Sequence, residues 1–154
     1  MVAKDMASSE FGGKSRARKV QVWIYQRHRE PRVLIFKTTP KRGDFWQPVT
    51  GGVEAGETHA EAALREAREE SGHEFGGAPE DLEHSFEFAG QWGAVEECAF
   101  ALRWIPDEGG APPIAKVDPT EHVEYRWVSL PEAAELIRFD SNRAVLRRLA
   151  ARLS

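Results

Sequence analysis

The sequence predicts an α/β fold in which a mixed sheet is flanked by helices. Three features carry this: apolar runs rich in β-branched and aromatic residues near the start, one capped helical stretch in the middle, and a late alternating strand followed by two helical segments. A chain of 154 residues with 41% hydrophobic and 30% charged content fills one core, not two. Its formal net charge of -4 argues against a general nucleic-acid binder, which needs a positive surplus to neutralise phosphates. A polyanionic ligand would have to meet locally placed cations or a bridging metal. The single cysteine, Cys98, allows no internal disulfide. No apolar run approaches the ~20 residues of a membrane span, and the N-terminus lacks an apolar signal core. The expectation is a cytoplasmic protein with no membrane partner.

Residues 1–18, MVAKDMASSEFGGKSRAR, are small, polar and aperiodic, and read as a disordered lead-in to a domain over 19–154. "KVQVWIYQ" (19–26) and "RVLIFK" (32–37) read as paired strands joined by the polar "RHREP". "DFWQPVTGG" (44–52) is a short strand entering a Gly-rich turn, with Pro48 making it an edge or a bulge. Thr58 and Glu61 form a capping box that opens a helix, and Gly72 ends it. Ala60, Ala63, Leu64 and Ala67 give that helix a narrow face of small residues able to lie close to a sheet. "HSFEFAG" (84–90) and "EECAFALRWI" (96–105) pair as strands around the Gly93 turn. "GGAPPIAKVDPTE" (109–121) holds too much Gly and Pro for regular structure and forms a long surface loop. "HVEYRWVSL" (122–130) alternates as a strand, Pro131 opens a short helix, and Asp140 or Ser141 caps a last one. Leu146, Leu149 and Leu153 on that helix suit an interface as well as a core, so the oligomeric state is open.

The chemistry concentrates in "GGVEAGETHAEAALREAREESG" (51–72), where Glu66, Glu69 and Glu70 share one helical stripe. Like charges at that spacing destabilise a helix by roughly 0.2–0.5 kcal/mol per pair. The crowding makes sense if a divalent cation supplies the missing charge, because Mg²⁺ takes oxygen ligands from a few carboxylates, water and substrate phosphates. Glu66 and Glu70, one turn apart, can aim at one ion, with Glu69 near a second. Arg65 can hold a carboxylate by a forked hydrogen bond. Gly51 and Gly52 let the backbone bring a carbonyl such as that of Thr50 close to the metal. A solvated acidic helix with the pairs Glu61–Arg65 and Arg65–Glu69 accounts for the acids alone equally well.

Spacing separates the two. From Gly51 the chain runs G-x5-E-x7-R-E-x-x-E-E-x-G, with Glu57, Arg65, Glu66, Glu69, Glu70 and Gly72 at the fixed positions. At roughly 7% usage per position, a chance match is on the order of 10⁻⁶ per chain. The pattern resembles the Nudix box, the signature of metal-dependent hydrolases of nucleoside diphosphates linked to another group. Ala67 and His73 stand where that pattern prefers bulky aliphatics; neither position binds metal, so the departure touches helix packing, with His73 facing solvent.

Two further stretches, "DFWQPVTGGVEAGET" and "TEHVEYRWVSLPEAAELIRFDSNRAVLRRL", are similar to the bacterial dihydroneopterin triphosphate diphosphatases, once described as dATP pyrophosphohydrolases. The resemblance implies the Nudix fold, an α/β/α sandwich with a mixed sheet. It implies Mg²⁺, with Mn²⁺ left open as a substitute, and water attacking phosphorus within a small-molecule triphosphate to leave a monophosphate and pyrophosphate. It assigns Glu66 and Glu70 as principal metal ligands, Glu121 as a third ligand or a base orienting water, Glu69 as a ligand to a second ion, and Arg65 as an orienting group. Glu57 stabilises the loop and helix start. Where related enzymes carry a basic pair after the second strand this chain reads "KTTPKR", so Lys37, with Lys41 or Arg42, is the expected phosphate contact. Arg143 matches the subfamily and is a candidate for substrate or for a surface salt bridge. Phe45, Trp46, Phe88 and Trp92 are candidates for stacking on the base, while Trp127 reads as core. A hydrolase of dinucleoside polyphosphates or nucleotide sugars, and a nucleotide-binding domain without catalysis, are the competing functions.

Overall fold

Alternation along the second apolar run sets up the architecture. Val33 and Ile35 point to one face of a strand and Leu34 and Phe36 to the other, and all four are buried, so both faces of the sheet must be covered. The computed structural model describes residues 17–27, 29–105 and 112–154. In order they form β1 (Ala17–Gln26), β2 (Arg32–Thr38), a 3₁₀ turn (Pro40–Arg42), β3 (Trp46–Gln47), β4 (Val49–Gly52), α1 (His59–Ser71), β5 (Glu80–Gly90), β6 (Gly93–Arg103), β7 (His122–Ser129), α2 (Leu130–Leu136) and α3 (Asp140–Leu153).

The strands make one mixed sheet with the backbone order β3-β2-β1-β6-β5, β7 on β2 and β4 on β1. β1 and β6 run parallel from Ala17↔Val95 to Tyr25↔Arg103, and the other pairs are antiparallel. β1 and β2 pair only at Ile24–Gln26 against Leu34–Arg32 and then diverge. The expected 44–52 strand fills that wedge in two pieces, β3 pairing with β2 and β4 with β1. Pro48 lies between the pieces because it has no N–H to continue a ladder.

One face of the sheet carries Trp23, Tyr25, Val33, Ile35, Ala99 and Ala101 against Ala133 of α2 and Val145, Leu146, Leu149 and Leu153 of α3. The three α3 leucines are therefore core. The other face carries Val20, Val22, Ile24, Leu34, Phe36 and Phe100 against α1. Helix, sheet and helix stack as the expected sandwich. Ala62, Ala63 and Ala67 form the contact face of α1, whereas Ala60 is exposed, because the buried face keeps Ala63 and Ala67 of the stripe read from sequence but extends toward Ala62 instead of Ala60.

Local chemistry explains the ends of α1. Thr58 Oγ1 accepts from Glu61 N at 3.0 Å while Glu61 Oε1 accepts from Thr58 N at 2.9 Å, which completes the capping box. Gly72 closes the helix at φ 76°, and a Cβ there would meet Lys116 Cβ at 2.6 Å. Lys116 N donates to Ser71 O at 2.8 Å, tying the loop that follows β6 to the end of α1. His73 does not simply face solvent; it stacks on Trp104 at 4.0 Å, and Trp104 meets the edge of Trp127, whose Nε1 donates to Pro113 O at 2.8 Å. These rings hold the same loop.

Three expectations change. β1 starts at Ala17, inside the segment read as disordered, because Ala17 and Arg18 already pair with Val95 and Glu96; residues 1–16 lie outside the described residues, as do 106–111, which include the first three residues of the long loop. β5 starts at Glu80, earlier than 84, with a register shift between Asp81 and Ser85. Neither Asp140 nor Ser141 caps α3: Phe139 holds the N-cap position without a side-chain bond, and Asp140 instead accepts from Arg143 Nη1 at 2.8 Å.

The all-alanine contact of α1 predicts that Ala63→Leu overpacks a fully buried position. The expected loss is about 1–3 kcal/mol in urea unfolding. An unchanged midpoint and slope would contradict the close approach of α1 to the sheet.

Candidate active site

Helix α1 lays its acids along the open end of the wedge between β1 and β2, and Arg65 organises them. Its Nε and Nη2 donate to the two Glu57 oxygens at 2.8 and 3.0 Å, Nη2 also donates to Gly52 O at 2.8 Å, and Nη1 donates to Glu66 at 3.1 Å and to Glu69 at 3.4 Å. One guanidinium thus fixes the loop before the helix and two of its acids, a use of all sides of the planar fork. Its hold on Glu57 keeps that carboxyl below its ordinary range. β4 passes so close that a Cβ on Gly51 would lie 2.0 Å from Glu66 Cδ, so only glycine fits.

Glu70 is different. Its side chain is 3% exposed, and neither oxygen receives a hydrogen bond among the described residues. Burial, then the charges of Glu66 and Glu121, push its carboxyl up to about 10. Glu66 is raised by burial too, although Arg65 pulls the other way. His122, equally buried, sets its Nε2 3.8 Å from Glu70 Oε1 and 3.5 Å from Gln47 Nε2. Burial and the Arg42 charge lower His122 to about 4, so at neutral pH it is an uncharged neighbour and no counter-ion for Glu70.

Glu121 comes from the far end of the chain, one residue before β7. Thr39 N donates to Glu121 O at 3.3 Å, and Arg42 Nη1 lies 3.5 Å from Glu121 Oε1, so the 3₁₀ turn and this loop close over one edge of the acids. Glu121 bears on Glu70 electrostatically, which places the remote acid in the same field as the helical ones. With Glu66 turned to Arg65 and Glu121 to Arg42, no three His, Cys, Asp or Glu side chains among the described residues form a ready-made ligand set.

Beside the acids lies a cavity of about 510 Å³ on the α3 face, walled by Phe45, Phe86, Phe88 and Phe139. Thr50 and Gln47 border it, and Gln47 also lies 3.5 Å from His122, the neighbour of Glu70, so one side chain links the cavity wall to the acids. Of the expected substrate residues, Phe45 lines the cavity, in edge contact with Phe139 at 5.2 Å. Lys37 is paired with Asp44 at 3.5 Å, and Lys41 is exposed on the turn beside Arg42.

Trp46 and Arg143 are elsewhere. Trp46 is buried in the α2–α3 core under Arg126, bridged to Ile137 at the end of α2 and so covered there instead of lining the cavity. Arg143 donates to Ala134 O, Ile137 O and Asp140, closing the end of α2, so its hydrogen-bonding groups are engaged by backbone and Asp140. Trp92 stands 90% exposed at the hairpin tip, away from the cavity. Reading the sequence missed His122, Gln47, Phe139, Asn142 and Glu97; only Glu97 left a signal, as an acid in phase with the inward residues Ala99 and Ala101.

Glu70 provides the test for a metal. A buried carboxylate with two unpartnered oxygens, flanked by Glu66 and Glu121 and by no cation of its own, has the donor chemistry that a hard divalent ion requires.

Comparison with known proteins places these features. The NUDIX domain profile matches residues 15–149. The chain is 38% identical over 127 residues to an octanoyltransferase of Myxococcus xanthus, a match covering 79% of this chain but only 33% of that protein's length. It is 31% identical over 145 residues to the dihydroneopterin triphosphate diphosphatase of Escherichia coli K12, covering 80% of this chain and 92% of that one. The structure of the E. coli dihydroneopterin triphosphate pyrophosphohydrolase superposes with a TM-score of 0.72 at 30% identity, over 88% of this chain and 95% of that chain. An asymmetrical bis(5'-nucleosyl)-tetraphosphatase of Sus scrofa is 31% identical over 102 residues, 66% of this chain and 67% of that protein.

The state of Glu70 predicts a stability effect with a definite sign. Unfolded, it releases its proton near the ordinary 4.5; folded, it keeps it to about 10, so between those values the folded state holds the extra proton and stability falls as pH rises. In EDTA at pH 8, Glu70→Gln is expected to melt several degrees above the parent, 1 kcal/mol being about 2–4 °C for a chain of this size. The difference should shrink toward pH 4.5. A variant less stable than the parent at pH 8 would contradict an unpaired, crowded Glu70.

Proposed function

The chain belongs to the Nudix family of hydrolases, and on that premise we propose that it is a Mg²⁺-dependent cytoplasmic pyrophosphohydrolase of a dihydroneopterin or (deoxy)nucleoside triphosphate. The observation that carries this reading is Glu70, buried without a hydrogen-bond partner beside Glu66 and Glu121. Glu66, Glu70 and Glu121 would hold the ion, with the Thr50 carbonyl and, for a second ion, Glu69 contributing. To do so Glu121 would turn from Arg42, while Glu66, which Arg65 holds at Oε2, would offer its other oxygen. When bound, Mg²⁺ supplies charge neutralisation for the triphosphate and acidifies water.

The chain's own groups do the rest. Arg65 keeps Glu66 and Glu69 aligned through its clamp on Glu57 and Gly52. Glu121 orients the attacking water and takes its proton. Water oxygen bonds to phosphorus, the anhydride bond on its far side breaks, and pyrophosphate departs from the monophosphate. Arg42 and Lys41, on the turn above the acids, meet the phosphates, and Arg42 would be free to do so once Glu121 faced the ion. The aromatic cavity takes the heterocycle, and its link to the acids through Gln47 suits a ligand with a flat ring at one end and phosphates at the other.

The similarity to the pig tetraphosphatase supports a second reading, in which a dinucleoside polyphosphate is cut at the same acids. Acyl transfer finds less support. The octanoyltransferase match spans a third of that protein, and the thiol of Cys98, this chain's one cysteine, is pushed up to about 11 where a nucleophile needs a lowered value.

Incubation with Mg²⁺ and a panel of dihydroneopterin triphosphate, nucleoside triphosphates, dinucleoside polyphosphates and nucleotide sugars separates the readings. The expected products are pyrophosphate and a monophosphate, with Glu70→Gln folded and reduced by at least about 10²-fold in turnover. Orthophosphate alone from a triphosphate, or undiminished activity in the variant, would contradict the proposal.

A further inference from the structure

The back of the aromatic cavity carries an acid that the hydrolytic site does not use. Glu97 sits in β6 opposite Lys19 of β1 and Phe86 of β5, its side chain on the α3 face, and the residue is 5% exposed. It is held in place by a directed chain of amides. Trp23 Nε1 and Asn142 Nδ2 both donate to Gln21 Oε1, at 3.0 and 3.3 Å. With two donors on its oxygen, Gln21 has its amide nitrogen turned the other way, where it donates to Glu97 Oε2 at 2.9 Å. Gln21, Trp23, Glu97 and Asn142 are all buried.

The direction of this chain decides what the cavity offers. Trp23 donates to Gln21 and Gln21 to Glu97, and Asn142 spends a donor on Gln21. Glu97 and Asn142, which line the cavity, are left with acceptor capacity: a carboxylate has about four acceptor sites, one of which Gln21 fills, and the Asn142 carbonyl adds two. Burial raises Glu97, while Lys19 and the Gln21 hydrogen bond favour its charged form. Four phenylalanines form the walls, so an occupant is flat and must bring donors to the back.

Resting on the function proposed above, we propose that Glu97 is a specificity-determining residue that selects a heterocycle with adjacent ring N–H and amino donors, the 2-amino-4-oxo edge shared by guanine and pterins. That edge gives two parallel hydrogen bonds to a carboxylate. The adenine edge sets a ring-nitrogen lone pair beside its amino group, and cytosine does the same, so each faces Glu97 with one bond and one repulsion. Uracil and thymine carry a single N–H between two carbonyls. A buried acceptor left unpaired weakens binding strongly, which turns this difference into selectivity.

Equilibrium binding of GMP, AMP and dihydroneopterin to the full chain, measured by calorimetry, tests the assignment without requiring turnover. The parent is expected to bind GMP at least about tenfold more tightly than AMP, a charge-assisted pair against a mismatch. Glu97→Gln should bring the two within about threefold of each other, mainly by weakening GMP. Phe88→Ala, at the half-exposed rim, should weaken both alike and so locate binding in the cavity. The ratio of dihydroneopterin to GMP binding tells which source of the shared edge the cavity prefers. A parent that does not favour GMP, or a folded Glu97→Gln with the parental GMP to AMP ratio, would overturn the inference and leave the hydrolytic reading standing. Failure of the parent to hydrolyse any triphosphate, with GMP preference intact, would do the reverse.

Discussion

Negative charge crowded at one end of a sheet, without enough positive charge to match it, is the constraint on which this molecule is built. Glu66, Glu69 and Glu70 on α1 and Glu121 before β7 converge there, and the nearby cations are Arg65 and Arg42. Arg65 binds Glu57, Glu66 and Glu69 together, and His122 remains neutral. Among the described residues Glu70 is left with no bonded cation or N–H donor. A fold optimised for stability alone would replace such a group, since an uncompensated buried acid costs several kcal/mol when ionised. Its position therefore points to a ligand that supplies charge.

The sheet exists in a form that makes this convergence possible. Because β1 and β2 separate after three residue pairs, β3 and β4 enter between them and bring Gln47, Thr50 and Gly51 to the place where α1 presents its acids. Gly51 carries no side chain against Glu66, and the alanine face of α1 lets the helix sit low enough for Glu70 to be covered. At the other end, Lys116 on Ser71 and the rings of His73, Trp104 and Trp127 anchor the loop that delivers Glu121. The acids and the aromatic cavity thus share the same wedge, one lying toward α1 and the other toward α3.

Much of this was legible because it is local. The capping box, the left-handed Gly72, the hairpin around Gly93 and the stripe of acids all depend on residues within a few positions of one another. Glu121 was reached only through resemblance, since nothing in "PTEH" by itself says that a loop fifty residues from α1 folds back to it. Trp46 was misplaced because Pro48 interrupts the alternation and a two-residue strand has no period to read. Arg143 looked like a substrate contact because its sequence position cannot reveal that a long side chain turns back to seal α2. Glu97 shows the opposite case: its phase placed it inward, and only the amide chain from Asn142 through Gln21, crossing 121 residues of sequence, shows why an acid is there.

The central claim is that Glu66, Glu70 and Glu121 form one cation site although two of them rest on arginines. Anomalous diffraction from crystals of the protein grown with Mn²⁺ tests this most directly. The account predicts a manganese peak with carboxylate oxygens of all three residues at about 2.1 Å, the distance of a hard octahedral ion, and Arg42 withdrawn from Glu121. A peak that excludes Glu70 or Glu121, or ordered Mn²⁺ only at other carboxylates, would contradict it.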